Sequence, residues 1–231
     1  EAKPPGLMPE SFETGQEFVA DVLHGTTEDV DEFSPDRMGD NTNAASARQA
    51  FFFAAKPSTA NSYADTSSPM QQKANFKRFF TAAKKLIDGT KLNAAEQADV
   101  DAMRARAKEL KGMVVWDAMV AAGKENSYAA RSMVNRFVPN LNPQVQMRRI
   151  RMKNPLVHDY KGSTKRDITY DALITKAKKA GHDGVVMLNT YDRAGKRKSE
   201  LTKADQDTIF AVFDAENITT TFKKRTDTTK F

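Results

Sequence analysis

The stretch that decides the fold runs from residue 50 to residue 63 and has the sequence AFFFAAKPSTANSY. Three consecutive phenylalanines between alanines are typical of a short buried strand. Pro57 can occupy the first turn of a helix that Ser58 or Thr59 caps, so the stretch predicts a strand followed by a helix. Tyr63 then lies on a helix of small residues, where its ring can pack in the core or stack on an aromatic ligand.

Composition excludes several classes of protein. The 231 residues include 36 Lys and Arg against 30 Asp and Glu, a net charge of +6 that mildly favours phosphate-bearing partners. Cysteine is absent, which excludes disulfides, cysteine-type zinc sites and thiol nucleophiles. No apolar run is long enough to span a membrane, so we expect no membrane partner. No histidine pair has metal-ligand spacing, so we expect no metal site.

Strand patterns flank a helical segment. Alternating or continuous apolar runs predict strands at 18–23, 50–54, 145–152, 184–188 and 208–213. An amphipathic helix is expected from Tyr170 to Ala180, where Gly181 ends it.

The domain organisation follows from the same patterns. Residues 66–140 carry apolar residues at helical spacing, and Asn93 with Glu96 forms a capping-box pattern, so we expect three or four helices there. We interpret residues 1–16 as a lead-in and residues 17–231 as one α+β domain. The segment 66–140 is then a helical insertion whose apolar stripes pack on the body of the domain.

His24 is the histidine with the most suggestive setting, because it ends an apolar strand and precedes Gly25. An imidazole beside freely approachable backbone groups suits a ligand that carries an amide or ribose hydroxyls.

Several short motifs, taken in order, resemble a known family. His24-Gly25-Thr26, the stretch 50–63, and the segments 152–156, 180–186 and 210–218 resemble ADP-ribosyltransferases of the diphtheria-toxin and poly(ADP-ribose) polymerase type. The later segments look like the ADP-ribosyltransferase domains of phage and mobile-element polyvalent proteins. The resemblance implies two small, mostly antiparallel sheets split by a cleft, with helices around it and the helical insertion added.

The resemblance also implies how NAD is bound as a substrate. His24 would bind a ribose hydroxyl. The backbone of Gly25, in the His24-Gly25-Thr26 motif, would hold the nicotinamide carboxamide with a hydroxyl from Ser58 or Thr59.

Two aromatic residues would enclose the nicotinamide ring. Tyr63 would stack on the ring. Phe52 falls where the family has a tyrosine and would supply a second wall without a hydroxyl.

The chain departs from the family at the catalytic acid. Ile209 stands where the family's glutamate begins the last strand, as in relatives that add a single ADP-ribose. Cleaving the nicotinamide–ribose bond builds positive charge that a carboxylate stabilises. Asp207 shares a strand face with Ile209 and is the expected substitute, and Asp205 and Gln206 are further candidates.

The sequence therefore predicts a toxin-like mono-ADP-ribosyltransferase that modifies a protein or nucleic-acid acceptor inside a cell, including the host cytoplasm after delivery by a phage. Three alternatives stay open. The chain could chiefly hydrolyse NAD, or be a catalytically weakened NAD-binding module of a larger phage protein with a structural role. It could also bind nucleic acid through basic stretches at 148–153, 176–179 and 196–198.

Overall fold

The computed structural model describes residues 13–28, 30–42, 44–65, 69–123 and 127–220. In this part of the chain the strands are β1 (Phe18–Thr26), β2 (Phe51–Ala54), β3 (Gln144–Met152), β4 (Pro155–Asp159), β5 (Gly184–Tyr191), β6 (Gln206–Val212) and β7 (Ile218–Thr220). The helices are α1 (Pro57–Ala64), α2 (Pro69–Ile87), α3 (Ala94–Glu109), α4 (Met113–Ala122), α5 (Ser127–Phe137) and α6 (Tyr170–Lys179). The first twelve residues of the expected lead-in and the last eleven residues of the chain lie outside the described residues.

The described strands form one mixed sheet in the order β4-β5-β6-β2-β1-β3-β7. Only β4 and β5 run parallel; the other neighbours are antiparallel. The α+β class is confirmed, but the two separate sheets are not. A single residue pair, Leu23 opposite Ala54, joins β1 to β2. The sheet is therefore continuous, and the predicted division into two sheets is not seen among the described strands.

The three phenylalanines of β2 alternate between the two faces of the sheet. Phe51 and Phe53 pack in a core with Phe18 and Phe210, and the Phe18 and Phe210 rings stack at 5.3 Å. Phe52 points to the opposite face, where it packs against the core between the sheet and α6. The three phenylalanines that predicted a buried strand therefore pack in two separate hydrophobic cores, one on each face of the sheet.

Strand β4 is not among the predicted strands, because a proline so close to the end of the predicted strand 145–152 favours a stop there. Pro155 instead begins β4, which lies at the edge of the sheet, where a missing N–H is tolerated. Helix α6 connects β4 to β5 as a parallel crossover.

The helical insertion contains four described helices, α2 to α5, in agreement with the prediction. The capping box also forms: the Asn93 side chain accepts from Glu96 N–H at 2.8 Å, and the Glu96 carboxylate accepts from Asn93 N–H at 3.0 Å. The apolar stripes differ from expectation, because they pack against one another. Phe79, Met103, Met133 and Phe137 are fully buried in a core of their own.

Candidate active site

A cavity of about 460 Å³ opens beside the ends of β1 and β2 and the helix α1. This volume falls within the range of small-molecule sites, roughly 300–1,000 Å³. Four separate elements contribute predicted site residues to its lining: His24, Gly25, Thr26, Phe52, Thr59, Tyr63 and Ile209.

His24 lies inside β1, which continues past the predicted end to Thr26. Its Nδ1 lies 2.9 Å from the carbonyl oxygen of Phe52. A carbonyl can only accept, so Nδ1 carries the proton and Nε2 keeps a lone pair. Burial lowers the pKa of His24 to about 4, although the Phe52 carbonyl acts in the opposite direction. The imidazole is therefore neutral at pH 7, and its Nε2 can accept a hydrogen bond from a hydroxyl.

Gly25 allows α1 to pack directly on β1. A Cβ at this position would lie 1.8 Å from the Ala60 carbonyl oxygen, so only glycine fits without moving the helix. The Asn41 amide donates to the carbonyls of Gly25 and Tyr63, at 3.0 and 3.3 Å. Gln71 of α2 donates to the Asn41 side chain at 2.7 Å and to the same Tyr63 carbonyl. This network fixes the end of β1 relative to the end of α1.

Tyr63 lies near the C-terminal end of α1 and lines the cavity. Its hydroxyl donates to Asp192 Oδ1 at 2.5 Å. Burial and the Asp192 carboxylate together raise the pKa of Tyr63 well above its usual value. Phe52 lines the same cavity and stacks on Tyr170, with ring centroids 6.1 Å apart. The cavity thus has aromatic surfaces from three elements.

Of the remaining predicted site residues, some line the cavity and some do not. Thr59 is buried and lines the cavity, whereas Ser58 is exposed on α1 and does not line it. Of the two residues proposed for the carboxamide, only Thr59 therefore lines the cavity. Ile209 is 2% exposed and forms part of the cavity wall.

Asp207 does not line the cavity, contrary to the expectation that it faces the reacting ribose. Its carboxylate accepts from Lys56 N–H at 3.1 Å and from Thr208 N–H at 2.7 Å. Lys56 is the N-cap residue of α1, so Asp207 satisfies a backbone donor at the start of that helix. Burial raises the pKa of Asp207, and hydrogen bonds from Thr59 and the backbone oppose this.

Asp205, the other acidic candidate, also does not line the cavity and forms ion pairs instead. Its carboxylate pairs with Lys196 at 2.8 Å and with Arg193 at 3.6 Å. The hydrogen bond from Lys196 is the largest cause that lowers the pKa of Asp205 far below its usual value.

A carboxylate that the sequence analysis missed does line the cavity. We call Tyr63, Arg166, Tyr170 and Asp192 the acid corner. The Arg166 guanidinium lies 3.8 Å from the centroid of the Tyr170 ring and donates to the Tyr191 carbonyl at 2.7 Å. It lies 3.9 Å from Asp192 Oδ1.

Burial raises the pKa of Asp192, and the nearby Asp207 carboxylate adds to this, while the Tyr63 hydroxyl and Arg166 oppose it. The signal in the sequence was an acidic residue in the loop after a buried strand, a frequent position for functional groups.

Another part of the cavity lining is charged. Glu28, Arg37, Asp40 and Arg78 line it, and Asp99 of α3 lies behind them. Asp99 accepts from Arg37 at 2.8 Å and from Arg78 at 2.7 and 2.9 Å. These pairs attach the loop between β1 and β2 to the helical insertion.

Part of the predicted basic surface is neutralised. Arg149 pairs with Asp21 at 2.8 Å and Arg151 with Glu17 at 2.5 Å. Arg148 is buried and donates to the Met147 carbonyl. The stretch 148–153 therefore offers few cations to a nucleic acid, and this weakens the nucleic-acid alternative.

Residues 19–227 match the family model of the ADP-ribosyltransferase in polyvalent proteins. The match spans most of the chain, so the chain belongs to this family, and the predicted relationship is confirmed. ADP-ribosyl transfer is the activity of the family, and NAD is its general substrate. No curated protein and no solved structure matches the chain.

Two absences hold for the described residues. None of their helices combines the length and apolar character that crossing a membrane requires. No group of three or more potential metal-ligating side chains occurs among them.

Proposed function

We propose that this chain is a mono-ADP-ribosyltransferase that moves ADP-ribose from NAD to a protein or nucleic-acid acceptor and releases nicotinamide. One observation carries the proposal. His24, Gly25 and Tyr63, which come from two elements of a chain in this family, line one cavity of suitable size.

Each group then has a definite task. The neutral His24 Nε2 accepts from a ribose hydroxyl of NAD. Tyr63 stacks on the nicotinamide ring, and the stacked Phe52 and Tyr170 rings form a second aromatic surface. The backbone of Gly25 binds the carboxamide, and Thr59 lines the same cavity.

In the reaction, the bond between C1′ of the ribose and the nicotinamide nitrogen breaks. Its electron pair goes to the pyridinium ring, which leaves as neutral nicotinamide. A lone pair of the acceptor forms the new bond to C1′, and the acceptor loses its proton. Transfer of a single ADP-ribose is supported by Ile209, because relatives that add one ADP-ribose carry an apolar residue at this position.

The test is incubation of the purified chain with tagged NAD in a bacterial lysate, followed by separate protease and nuclease treatment. We expect a label on a macromolecule that is lost with Tyr63→Ala. Sensitivity to protease or nuclease then identifies the acceptor class. Nicotinamide release without label would indicate NAD hydrolysis instead.

One observation favours a second candidate, an NAD-binding module with weakened catalysis. The residue at the family's glutamate position is a buried isoleucine, Ile209. This candidate predicts NAD binding that depends on Tyr63, with neither label nor released nicotinamide.

A further inference from the structure

The acid corner contains a buried carboxylate, Asp192, to which the sequence analysis gave no role. Its side chain is only 17% exposed, yet it lines the cavity beside Tyr63. Burying a carboxylate is costly unless it is paired or used.

One oxygen of Asp192 is occupied and the other is available. Oδ1 accepts from the Tyr63 hydroxyl at 2.5 Å and faces Arg166 at 3.9 Å. Of the described residues, none forms a hydrogen bond with Oδ2. A carboxylate held by one oxygen, with the second oxygen unused, suits interaction with a ligand in the cavity.

The loop that carries Asp192 is fixed at several points. The Ser62 hydroxyl of α1 accepts from Ala194 N–H at 3.1 Å, so it ties the loop to the helix of Tyr63. Lys196 pairs with Asp205 at 2.8 Å, which ties the loop to the start of β6. Such anchoring pre-organises a charged group before a ligand binds.

We propose that Asp192 is the catalytic carboxylate of this chain, in place of the glutamate that Ile209 has replaced. The proposal rests on the proposed function. Asp192 stabilises the positive charge that develops on C1′ as nicotinamide leaves with the electron pair of the broken bond. It then takes the proton of the acceptor as the new bond to C1′ forms, and passes it to water.

Burial and the repulsion from Asp207 both make the Asp192 carboxylate a better proton acceptor, since they raise its pKa. The other titratable groups that face it are Tyr63, Tyr170 and Arg166.

A merely structural role for Asp192 would act through Tyr63, so two variants separate the roles. Asp192→Asn keeps an oxygen that accepts from the Tyr63 hydroxyl but removes the charge. Tyr63→Phe keeps the ring and the charge but removes the hydrogen bond. Asp117→Asn, at an exposed position on α4, is the matched control for loss of one carboxylate.

The assay follows nicotinamide release from NAD by the purified full chain, with water as acceptor and with lysate added. For Asp192→Asn we expect kcat to fall about 100-fold or more, while KM for NAD changes less than about threefold. For Tyr63→Phe we expect a loss of kcat below about tenfold. Asp117→Asn should match the wild type.

Three results would overturn the proposal: Asp192→Asn retains kcat, Tyr63→Phe loses as much kcat as Asp192→Asn, or Asp207→Asn alone abolishes kcat. An inactive wild type would overturn the proposed function as well. An active wild type with an active Asp192→Asn would overturn the role of Asp192 only.

Discussion

His24 shows how a single residue is prepared for a ligand. The hydrogen bond of Nδ1 to Phe52 fixes the tautomer, and burial keeps the ring neutral. Because the pKa of His24 is lowered to about 4, the unfolded chain binds a proton between pH 6.5 and 4 that the folded chain does not. Acidification through this window therefore destabilises the fold and, near pH 4, removes the Nε2 acceptor.

This behaviour can be measured by NMR titration of the imidazole resonances, with His24→Gln used to assign the His24 signal. We expect a midpoint near 4 for His24. We also expect the free energy of unfolding of the wild type, relative to His24→Gln, to fall by about 1 to 3 kcal/mol between pH 6.5 and 4. A midpoint near the ordinary histidine value would contradict the neutral, buried imidazole.

At the residue scale, local motifs predicted several residues that line one cavity, but not the carboxylate among them. His24, Gly25 and Tyr63 follow from short motifs, because each sits where a strand or helix directs it to the cavity. Asp192 could not be predicted in the same way. The strand before it continues past Asn189, which has a left-handed backbone (φ 50°), and through a register shift against β6. The shared strand face of Asp207 and Ile209 does not reveal that the Asp207 carboxylate accepts from Lys56 N–H at the start of α1.

At the scale of elements, the contact between α1 and β1 sets the geometry of the cavity. Gly25→Ala would place a methyl group against the Ala60 carbonyl and 3.1 Å from the Tyr63 Cβ. The helix must then shift and carry Tyr63 with it. We expect the free energy of unfolding to fall by about 1 to 3 kcal/mol and NAD binding to be lost.

The matched control is Gly89→Ala, measured by chemical denaturation and NAD titration. Gly89 has a φ of 67° and nothing within 4 Å of an added Cβ, so this variant strains the backbone far from the cavity. It should lose stability and keep NAD binding. If Gly25→Ala binds NAD as the wild type does, α1 does not set the geometry of the site.

Some sequence patterns are sufficient to predict a helix or strand, and others are not. Strong periodicity predicted α6 and three or four helices within 66–140, of which the structure describes four. The Asn93 capping box marks the start of α3. The parallel strand β4 escaped prediction because a proline begins it. The joining of two expected sheets depends on the single pair Leu23–Ala54, which no local pattern specifies.

At the scale of the whole molecule, the helical insertion has its own core but is attached to the cavity by charges. Arg78 on α2 is 9% exposed and pairs with Asp99 and Glu28. Burial lowers the pKa of Arg78, but the two carboxylates outweigh it and raise the value overall. The insertion therefore supports the charged part of the cavity wall.

Removal of Arg78 should leave the buried Asp99 carboxylate with one fewer cation, so that it pairs with Arg37 alone among the described residues. We expect Arg78→Met to lower the free energy of unfolding by about 3 kcal/mol, as for other buried pairs that lose one partner. Lys84→Met is the control, because the pair of Lys84 with Asp88 is half exposed and should contribute less than about 1 kcal/mol. Equal effects of the two variants in urea denaturation would show that the buried pairs do not hold the insertion in place.

The most direct test of the account is calorimetric titration of NAD into the wild type and into Tyr63→Ala. The account predicts binding to the wild type that weakens about tenfold or more when the ring is removed, in line with the loss of an aromatic stacking contact. Undetectable binding to the wild type, or equal affinity of the two proteins, would contradict the assignment of this cavity to NAD.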